Sequence, residues 1–266
     1  MVTPFDNKQY WETRLREHYS LAGVGYLRLG RRYNEWMYRV RGAVFDRVVA
    51  GLARDWSAAR VVDVGSGTGF YVARWLALGA QVTGLDLTEV AVEQLRRGFP
   101  QARFLQADIG GPRAGIALEG GFDAASAFDV LFHLVDDAQY AQAFRNLAAL
   151  LKPGGWLLWS DNFLRHATER VEHQASRPLA ESERLVEAAG FEVVERVPMF
   201  VLMNYPADTT SRLARLAWTA LVAPALVAEP LGWAVGALLY PLERGLLRVV
   251  RESPSTELMV CRKAAG

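Results

Sequence analysis

The amino-acid sequence predicts an α/β fold in which a mostly parallel sheet has helices on both faces. Strand-like and helix-like segments alternate between about residues 60 and 160, and a glycine-rich turn follows the first strand-like segment. Parallel strands need long crossover connections, usually helical, so this alternation favours a layered arrangement. The length of 266 residues fits one large domain that contains an insertion.

Short apolar runs predict seven strands. They are expected at Arg60–Val64, Gln81–Leu85, Arg103–Ala107, Phe122–Phe128, Trp156–Ser160, Phe191–Phe200 and Ser255–Cys261. Helices are expected between them, at Phe70–Ala77, Glu89–Arg97, Asp137–Leu151 and Leu179–Ala189. Thr88 is the predicted N-cap of the second helix, and Pro153-Gly154-Gly155 is a strong stop after the third.

Two regions do not follow the alternation. Residues 1–54 contain an aromatic and basic segment in which Tyr33, Trp36, Met37 and Val40 have helical spacing. Residues 207–252 are strongly apolar, and Glu229 is the only charged residue between Arg215 and Glu243.

The apolar region divides at Glu229-Pro230 into the runs 216–228 and 231–242, each shorter than the roughly 20 residues that span a bilayer. Two short apolar helices are therefore predicted. They could line a lipophilic acceptor pocket, form a homodimer interface or make a peripheral membrane contact, and the sequence does not choose among these.

Charge and cysteine content exclude several classes of protein. The chain has 30 basic and 29 acidic residues with no long basic run, which argues against a nucleic-acid partner. The single cysteine, Cys261, forbids an intrachain disulfide, and the first ten residues lack the apolar centre of a secretory signal. A cytoplasmic location is expected. The four histidines form no cluster with metal-ligand spacing, so no metal site is predicted.

The strongest motif is Val61-Val-Asp-Val-Gly-Ser-Gly-Thr-Gly-Phe70, a strand that runs into a glycine-rich turn. The spacing is G-x-G-x-G, whereas the dinucleotide fingerprint G-x-G-x-x-G would need glycine at position 70. Asp63 precedes the first glycine by two residues, where an anion would disfavour a pyrophosphate and favour the ammonium of an amino-acid-like ligand. A nicotinamide oxidoreductase is therefore disfavoured.

This pattern resembles the first motif of the class I S-adenosylmethionine (SAM)-dependent methyltransferases. Further segments follow in the order of that family: Gly84-Leu-Asp86-Leu87, Gln106-Ala-Asp108-Ile109, Phe122 to His133, and Leu151-Lys-Pro-Gly-Gly-Trp156. The resemblance covers residues 60–160 well and the last two strands more loosely. It does not cover residues 1–50 or 207–252.

The resemblance implies a Rossmann-like, seven-stranded, mostly parallel sheet whose last strand is antiparallel. It divides the chain into an N-terminal helical lid (1–54), a SAM-binding core (55–206), an apolar insertion (207–252) and a final strand (253–266). Asp86 would bind the ribose hydroxyls, Asp108 the adenine amino group, and Ile109 would pack on the adenine ring. The SAM-binding residues that we expect are Asp63, Gly65, Ser66, Gly67, Gly69, Asp86, Leu87, Asp108, Ile109 and Phe128.

Methyl transfer from a sulfonium is an in-line displacement, and an enzyme contributes mainly alignment and exclusion of water. His133, just after the fourth strand, is the candidate general base, with a packing role as the alternative. Asp129 could bind the SAM amino group, orient the acceptor or cap a helix. Tyr26, Tyr33 and Trp36 of the predicted lid are candidate contacts to the acceptor.

We therefore predict an enzyme that methylates an oxygen, nitrogen or carbon of a small, hydrophobic metabolite and releases S-adenosylhomocysteine. The alternatives are a membrane-associated quinone or lipid methyltransferase, a protein methyltransferase and a non-catalytic SAM-binding module. Fold alone does not identify the acceptor.

Overall fold

The structure is a computed structural model in which residues 5–265 are described. The helices are α1 (Asn7–Glu17), α2 (Gly30–Gly51), α3 (Phe70–Ala77), α4 (Glu89–Gly98), α5 (Asp137–Leu150), α6 (Leu179–Ala188), α7 (Arg212–Val222) and α8 (Glu229–Leu246). The strands are β1 (Arg60–Val64), β2 (Gln81–Asp86), β3 (Arg103–Gln106), β4 (Phe122–Phe128), β5 (Leu151–Asp161), β6 (Glu169–Val171), β7 (Gln174–Ser176), β8 (Phe191–Pro198) and β9 (Glu257–Lys263).

Seven strands form one sheet in the order β3-β2-β1-β4-β5-β9-β8. The pairs from β3 through to β5 are parallel. Backbone hydrogen bonds join Ala264 to Gly190 and Met199 to Thr256, so numbers fall along β9 as they rise along β8 and these two strands are antiparallel. The predicted fold class, a mostly parallel seven-stranded sheet with an antiparallel last strand, is confirmed.

The order of the strands reverses between β1 and β4, which lie side by side although two strand–helix units separate them in the chain. Crevices at such switch points, beyond the carboxyl ends of the strands, are where open α/β sheets bind ligands. The glycine-rich turn after β1 lies at this point.

The predicted strands and core helices all form, with small shifts in their ends. Thr88 caps α4 as predicted, with its hydroxyl oxygen accepting from the Ala91 N–H. α5 ends at Leu150, but β5 begins at once rather than at Trp156, since Leu151 pairs with Phe122 and the register shifts before Ala124 pairs with Trp156. The Pro-Gly-Gly segment is therefore an irregularity inside a strand. The hairpin β6–β7 was not predicted from the sequence.

The chain divides into two compact units. The first contains the chain up to Glu17, Asp55–Arg196 and the chain from Leu258 onwards; the second contains His18–Arg54 and Val197–Glu257. The first unit holds the sheet and a large apolar core, in which aromatic and aliphatic side chains of α5 such as Tyr140, Phe144 and Leu147 pack with Leu157 and Trp159 of β5.

The second unit is built on the packing of α2 against α8. It unites parts of both regions that lie outside the predicted alternation. Glu229 at the start of α8 accepts the N–H groups of Arg31 and Arg32 in the first turn of α2, at 2.8 and 2.7 Å. Glu243, which is fully buried, accepts three consecutive N–H groups, those of Val201, Leu202 and Met203.

The apolar insertion forms two helices, as predicted. α7 ends at Val222, a short 3-10 turn spans Ala223–Leu226, and α8 begins at Glu229 with Pro230 in its first turn, where a proline is well accommodated. Among residues 5–265, no helix is long and apolar enough to cross a membrane.

Candidate functional site

All three glycines of the turn after β1 have a left-handed backbone. The φ angles of Gly65, Gly67 and Gly69 are +68°, +52° and +82°, a region that costs other L-residues energy. There is also no room for a side chain at two of these positions. A Cβ on Gly65 would lie 2.2 Å from Val130 Cγ2, and one on Gly69 would lie 2.3 Å from Phe99 Cε2. The G-x-G-x-G spacing is therefore required by the shape of this loop.

The loop is tied to the end of β2. The N–H groups of Gly65 and Ser66 both donate to the Leu85 carbonyl, at 2.8 and 3.1 Å. The Gly67 N–H donates to Asp86 Oδ2 at 2.8 Å, and Asp86 Oδ1 accepts from both the N–H and the hydroxyl of Thr88. Asp86 thus fixes the loop in position, a role that the sequence did not indicate.

Asp63 lies inside β1 and is 2% exposed. Its neighbour in the register of β4 is Ser126, whose hydroxyl donates to Asp63 Oδ1 at 2.5 Å while accepting from Trp75 Nε1. Burial raises the pKa of Asp63 to about 7, against the opposing effect of hydrogen bonds from Ser126 and Ser66, and the nearby charge of Asp86 raises it further.

Asp86 is also buried, and its pKa is raised mainly by that burial, with the bonds from Thr88 and Gly67 acting in the opposite direction. Two neighbouring carboxyl groups are therefore held away from water at the switch point of the sheet. Such groups ionise at an energetic cost that an opposite charge can offset. The geometry suits a ligand that brings positive charge and hydroxyl groups to the loop.

Four other predicted SAM-binding residues differ from one another in burial and in the groups that they contact. Asp108 is exposed and accepts the Gly110 N–H at 2.8 Å in a local turn, which leaves carboxylate lone pairs available. Ile109 is buried in the apolar core cluster. Phe128 is buried and stacks on Tyr71, with ring centroids 3.9 Å apart. The Leu87 carbonyl accepts from Gln106. For Ile109 and Phe128, packing accounts for the position of the side chain.

Asp129 follows β4 with a φ of +57°, an uncommon backbone for a residue with a side chain. Ser160, at the end of the neighbouring strand β5, holds it there: the Ser160 hydroxyl accepts the Asp129 N–H and donates to its Oδ1, at 2.8 and 2.9 Å. The cap of α5 is Asp136 instead. Strain held in place by neighbours is common at functional sites.

His133 follows Asp129 by four residues, in a short 3-10 turn. Its Nδ1 lies 2.8 Å from the His173 carbonyl oxygen. A carbonyl only accepts, so Nδ1 bears the proton and Nε2 keeps its lone pair. Burial lowers the pKa of His133 to about 4, and the imidazole is therefore neutral at physiological pH.

Helix α1 reaches over the same edge of the sheet. Glu12 accepts the N–H groups of Glu89 and Val90 at the start of α4, just after β2. Trp11 packs edge-on against His133 beyond β4, with ring centroids 4.7 Å apart. The strand that leads into the glycine loop, β1, lies between β2 and β4. Helix α1 therefore contacts the segments that follow the carboxyl ends of both neighbouring strands.

The predicted acceptor contacts Tyr33 and Trp36 of α2, and Tyr26 just before that helix, lie in the second unit. Tyr33 is completely buried and its hydroxyl donates to the Met203 carbonyl at 2.9 Å. Trp36 packs against Trp233 and Tyr240. Tyr26 is 36% exposed and lies 6.1 Å from Trp218 by ring centroids. Packing within this unit accounts for Tyr33 and Trp36.

Three residues that the sequence reasoning missed support the site: Glu12, Ser126 and Ser160. Ser126 had a signal, since it is the one hydroxyl residue in the otherwise apolar stretch Ala124–Phe128 of a fully buried strand. No signal in the sequence indicated Glu12 or Ser160. Their partners, Glu89 and Asp129, are distant in the chain and become neighbours only in the folded unit.

Comparison with known families fits this geometry. Residues 61–155 match a family model described as a methyltransferase domain. The segment begins in β1, includes the glycine loop and ends at the irregularity of β5. This segment is similar to methyltransferase domains, and the match covers about a third of the chain. The resemblance inferred from the motifs is confirmed.

Other proteins resemble this chain in sequence or in fold. The chain is 38% identical over 104 residues to the ubiquinone biosynthesis O-methyltransferase of Albidiferax ferrireducens, a match that covers 38% of this chain and 40% of that relative. The chain thus matches less than half of that relative's length. The fold resembles magnesium protoporphyrin IX methyltransferase from Synechocystis PCC 6803 with bound SAM, with a TM-score of 0.59, 16% identity and coverage of 99% and 100% of the two chains. It also resembles the (4+2)-cyclase SpnF, with a TM-score of 0.53, 20% identity and coverage of 83% and 81%.

Proposed function

We propose that this protein is a SAM-dependent methyltransferase that acts on a small, hydrophobic metabolite. The observation that supports this most directly is the pair of buried acids, Asp63 and Asp86, beside a loop of three left-handed glycines in a segment similar to methyltransferase domains. SAM brings an ammonium, a sulfonium and two ribose hydroxyls, which are the groups that two such carboxylates can hold.

In this proposal Asp63 receives the ammonium group and Asp86 a ribose hydroxyl, while the loop backbone of Gly65, Ser66, Gly67 and Gly69 approaches the cofactor closely. Asp86 already bonds three groups of the protein, and a carboxylate has about four acceptor positions. One position therefore remains for a hydroxyl. Asp108, exposed beyond β3, would take the adenine amino group.

SAM supplies a methyl group on a sulfur whose positive charge is neutralised as the methyl leaves. The protein's own contribution is alignment of the acceptor and exclusion of water. His133 would accept a hydrogen bond from the acceptor at Nε2 and, for an acceptor such as a hydroxyl group, receive its proton. Asp129, fixed by Ser160, would orient the acceptor beside it. Trp11 and Tyr10 of α1 supply aromatic surface around His133 and His173.

The relatives named ubiquinone biosynthesis O-methyltransferase favour oxygen as the acceptor atom and a lipophilic acceptor. A quinone- or lipid-directed enzyme is the second candidate for that reason. The single buried thiol of Cys261 agrees with a reducing compartment, and the cytoplasm is the location that we propose. Whether residues 207–252 meet a membrane or a second copy is a question separate from methyl transfer.

The first experiment uses SAM with a labelled methyl group, the purified protein and an extract of its source cells. Label that moves into an organic phase supports the proposal and identifies a lipophilic acceptor. Label that precipitates with protein contradicts it in favour of a protein acceptor. Binding of SAM without transfer to any fraction would contradict catalysis and favour a binding module.

Once an acceptor is known, His133 can be tested by substitution with glutamine and with alanine. We expect kcat to fall by about 100-fold in both variants if the imidazole takes a proton. If His133 only packs against Trp11, the glutamine variant keeps most of the activity. His166→Gln, which alters a half-buried histidine paired with Glu169, is the matched control and should leave kcat unchanged.

A further inference from the structure

Exposed apolar side chains are concentrated in the insertion. Fifteen large apolar side chains are exposed among the described residues, and ten of them lie within residues 207–252, about a sixth of the chain. The ten are Leu213, Leu216, Leu221, Leu226, Val227, Leu231, Trp233, Leu238, Leu242 and Val249. Large exposed apolar patches mark surfaces that meet a partner or a membrane.

The exposed side chains follow the helical repeat. On α7, Leu213, Leu216 and Leu221 recur at steps of three and five, and Ala217 and Ala220 fill the same exposed face. The opposite face buries Trp218 and Val222. α7 therefore has two apolar faces, of which only one packs within the protein.

α8 repeats this arrangement. Leu231, Leu238 and Leu242 recur at steps of seven and four on an exposed face, whereas Gly232, Gly236 and Leu239 are buried. Gly236 lies directly against Trp36 of α2. Leu226 and Val227, exposed in the turn between the helices, continue the apolar surface from α7 into α8.

Positive charge borders this surface. Glu229 and Glu243, the acids of α8, are both engaged by backbone N–H groups. Arg212 and Arg215 stand at the start of α7, and Arg244, Arg248 and Arg251 at the end of α8 and just beyond it.

The two compact units differ in charge in the same sense. The second unit has twelve arginines and seven acids, a formal charge of +5, whereas the rest of the chain has a formal charge of −4. The net charge of +1 for the whole chain does not show this difference between the two units. The unit that exposes the apolar helices is thus also the basic one.

We propose that α7, the turn after it and α8 form a docking surface for an anionic phospholipid bilayer, with the helices lying in the plane of the interface. An apolar helical face bordered by basic residues is the pattern of helices that bind at such surfaces. A second copy of the chain would present the same positive charge, and the two copies would repel each other.

Flotation of the full chain with vesicles tests this proposal. The vesicles contain phosphatidylglycerol with phosphatidylcholine, or phosphatidylcholine alone. We expect the protein to float with the anionic vesicles, to float much less with the neutral ones, and to be released as the salt concentration rises.

Two double variants test whether vesicle binding depends on the apolar side chains of the docking surface or on exposed apolar side chains in general. Leu216→Ser with Leu238→Ser removes two apolar side chains from the docking surface and should weaken partitioning by at least about tenfold. The matched control is Val171→Ser with Val194→Ser, which alters two side chains of similar exposure in the first unit and should leave partitioning unchanged.

A second comparison concerns charge. Arg248→Gln with Arg251→Gln should weaken binding to anionic vesicles by about tenfold, while Arg97→Gln with Arg103→Gln, exposed in the first unit, should have no effect. Equal flotation of the leucine variant and its control would overturn the proposal. A protein that does not float but sediments as a dimer, and becomes monomeric on Leu216→Ser with Leu238→Ser, would overturn it in favour of an interface between copies.

Discussion

Each unit contains a pair of acids, and the two pairs differ in their burial and in their hydrogen-bond partners. Glu229 and Glu243 of α8 are surrounded by backbone N–H groups, two for the first and three for the second. In the first unit, Asp86 accepts the N–H groups of Gly67 and Thr88, whereas the carboxylate of Asp63 is bonded by hydroxyl groups, and the nearby charge of Asp86 raises the pKa of Asp63.

The difference separates the acids that backbone N–H groups hold, Asp86 among them, from Asp63, whose carboxylate is bonded by hydroxyl groups and in our proposal binds the ligand. Backbone amides donate permanently and offset the burial of Glu243, and at Glu229 they lower the pKa below its usual value. Hydroxyls can also accept, so they stabilise a carboxylate less strongly. Asp63 is left with a pKa of about 7, which a bound cation would lower.

The largest effect is expected from Asp63→Asn. Loss of the carboxylate removes the partner for the ammonium group of SAM, and we expect the Kd for SAM to rise by at least about 100-fold. Without SAM, the variant should be as stable as the wild type at pH 8 or more stable by about 1–2 kcal/mol, since an acid that is costly to ionise is gone. Calorimetric titration and thermal unfolding measure the two quantities.

Asp123→Asn is the control for this comparison. Asp123 lies at the amino end of β4 and accepts the Arg60 N–H at 2.8 Å, so its loss should leave the Kd for SAM unchanged. A variant at Asp63 that is less stable yet binds SAM normally would place Asp63 with the structural acids.

The opposite pattern, a loss of stability without a loss of SAM binding, is expected for Glu243→Gln. The amide cannot accept all three backbone N–H groups, and its own NH₂ group adds a buried donor beside them. The free energy of unfolding should fall by about 2–3 kcal/mol in denaturant titrations, with the Kd for SAM unchanged in the folded protein. Glu252→Gln, an exposed site in the same unit, should change stability by less than about 0.5 kcal/mol. Loss of SAM binding in the folded Glu243 variant would contradict the separation of roles.

The smallest effect is a dependence on pH. The folded pKa of Asp63 lies above its unfolded value, so its contribution to stability is greatest at low pH and is lost as the pH rises through about 7. Binding of SAM requires the ionised form and has the opposite dependence. We expect the Kd for SAM to rise by up to about tenfold per pH unit below 7, and this slope should disappear in Asp63→Asn. A slope that persists in that variant would assign it to another group.

The fold could be predicted in detail from the sequence because its signals are local. Each core strand is a short apolar run, Thr88 caps the helix that it precedes, and the glycines of the loop report a backbone that other residues rarely adopt. Asp63 and Asp86 could also be singled out from the sequence, because their spacing from the glycines carries the family resemblance, and their role in SAM binding stays a prediction.

The long-range contacts around the site could not be predicted in the same way. Ser126 meets Asp63 through the register of β1 and β4, and Glu12 meets α4 across more than 70 residues of chain. The contact of α1 was not predicted for the same reason: Trp11 contacts His133 across more than 100 residues of chain, whereas Trp36 of α2 packs on Tyr240 in the second unit. The predicted acceptor contacts of Tyr26, Tyr33 and Trp36 stay predictions.

The sequence by itself determined the alternating core, the loop that turns at its switch point and the apolar character of residues 207–252. Each depends on residues within a few positions of one another. Only the tertiary structure decided which acids are saturated by backbone amides, and which apolar faces of α7 and α8 stay exposed. Burial and hydrogen bonding depend on neighbours from distant parts of the chain, and a helix with apolar residues on two faces does not reveal which of them will be covered.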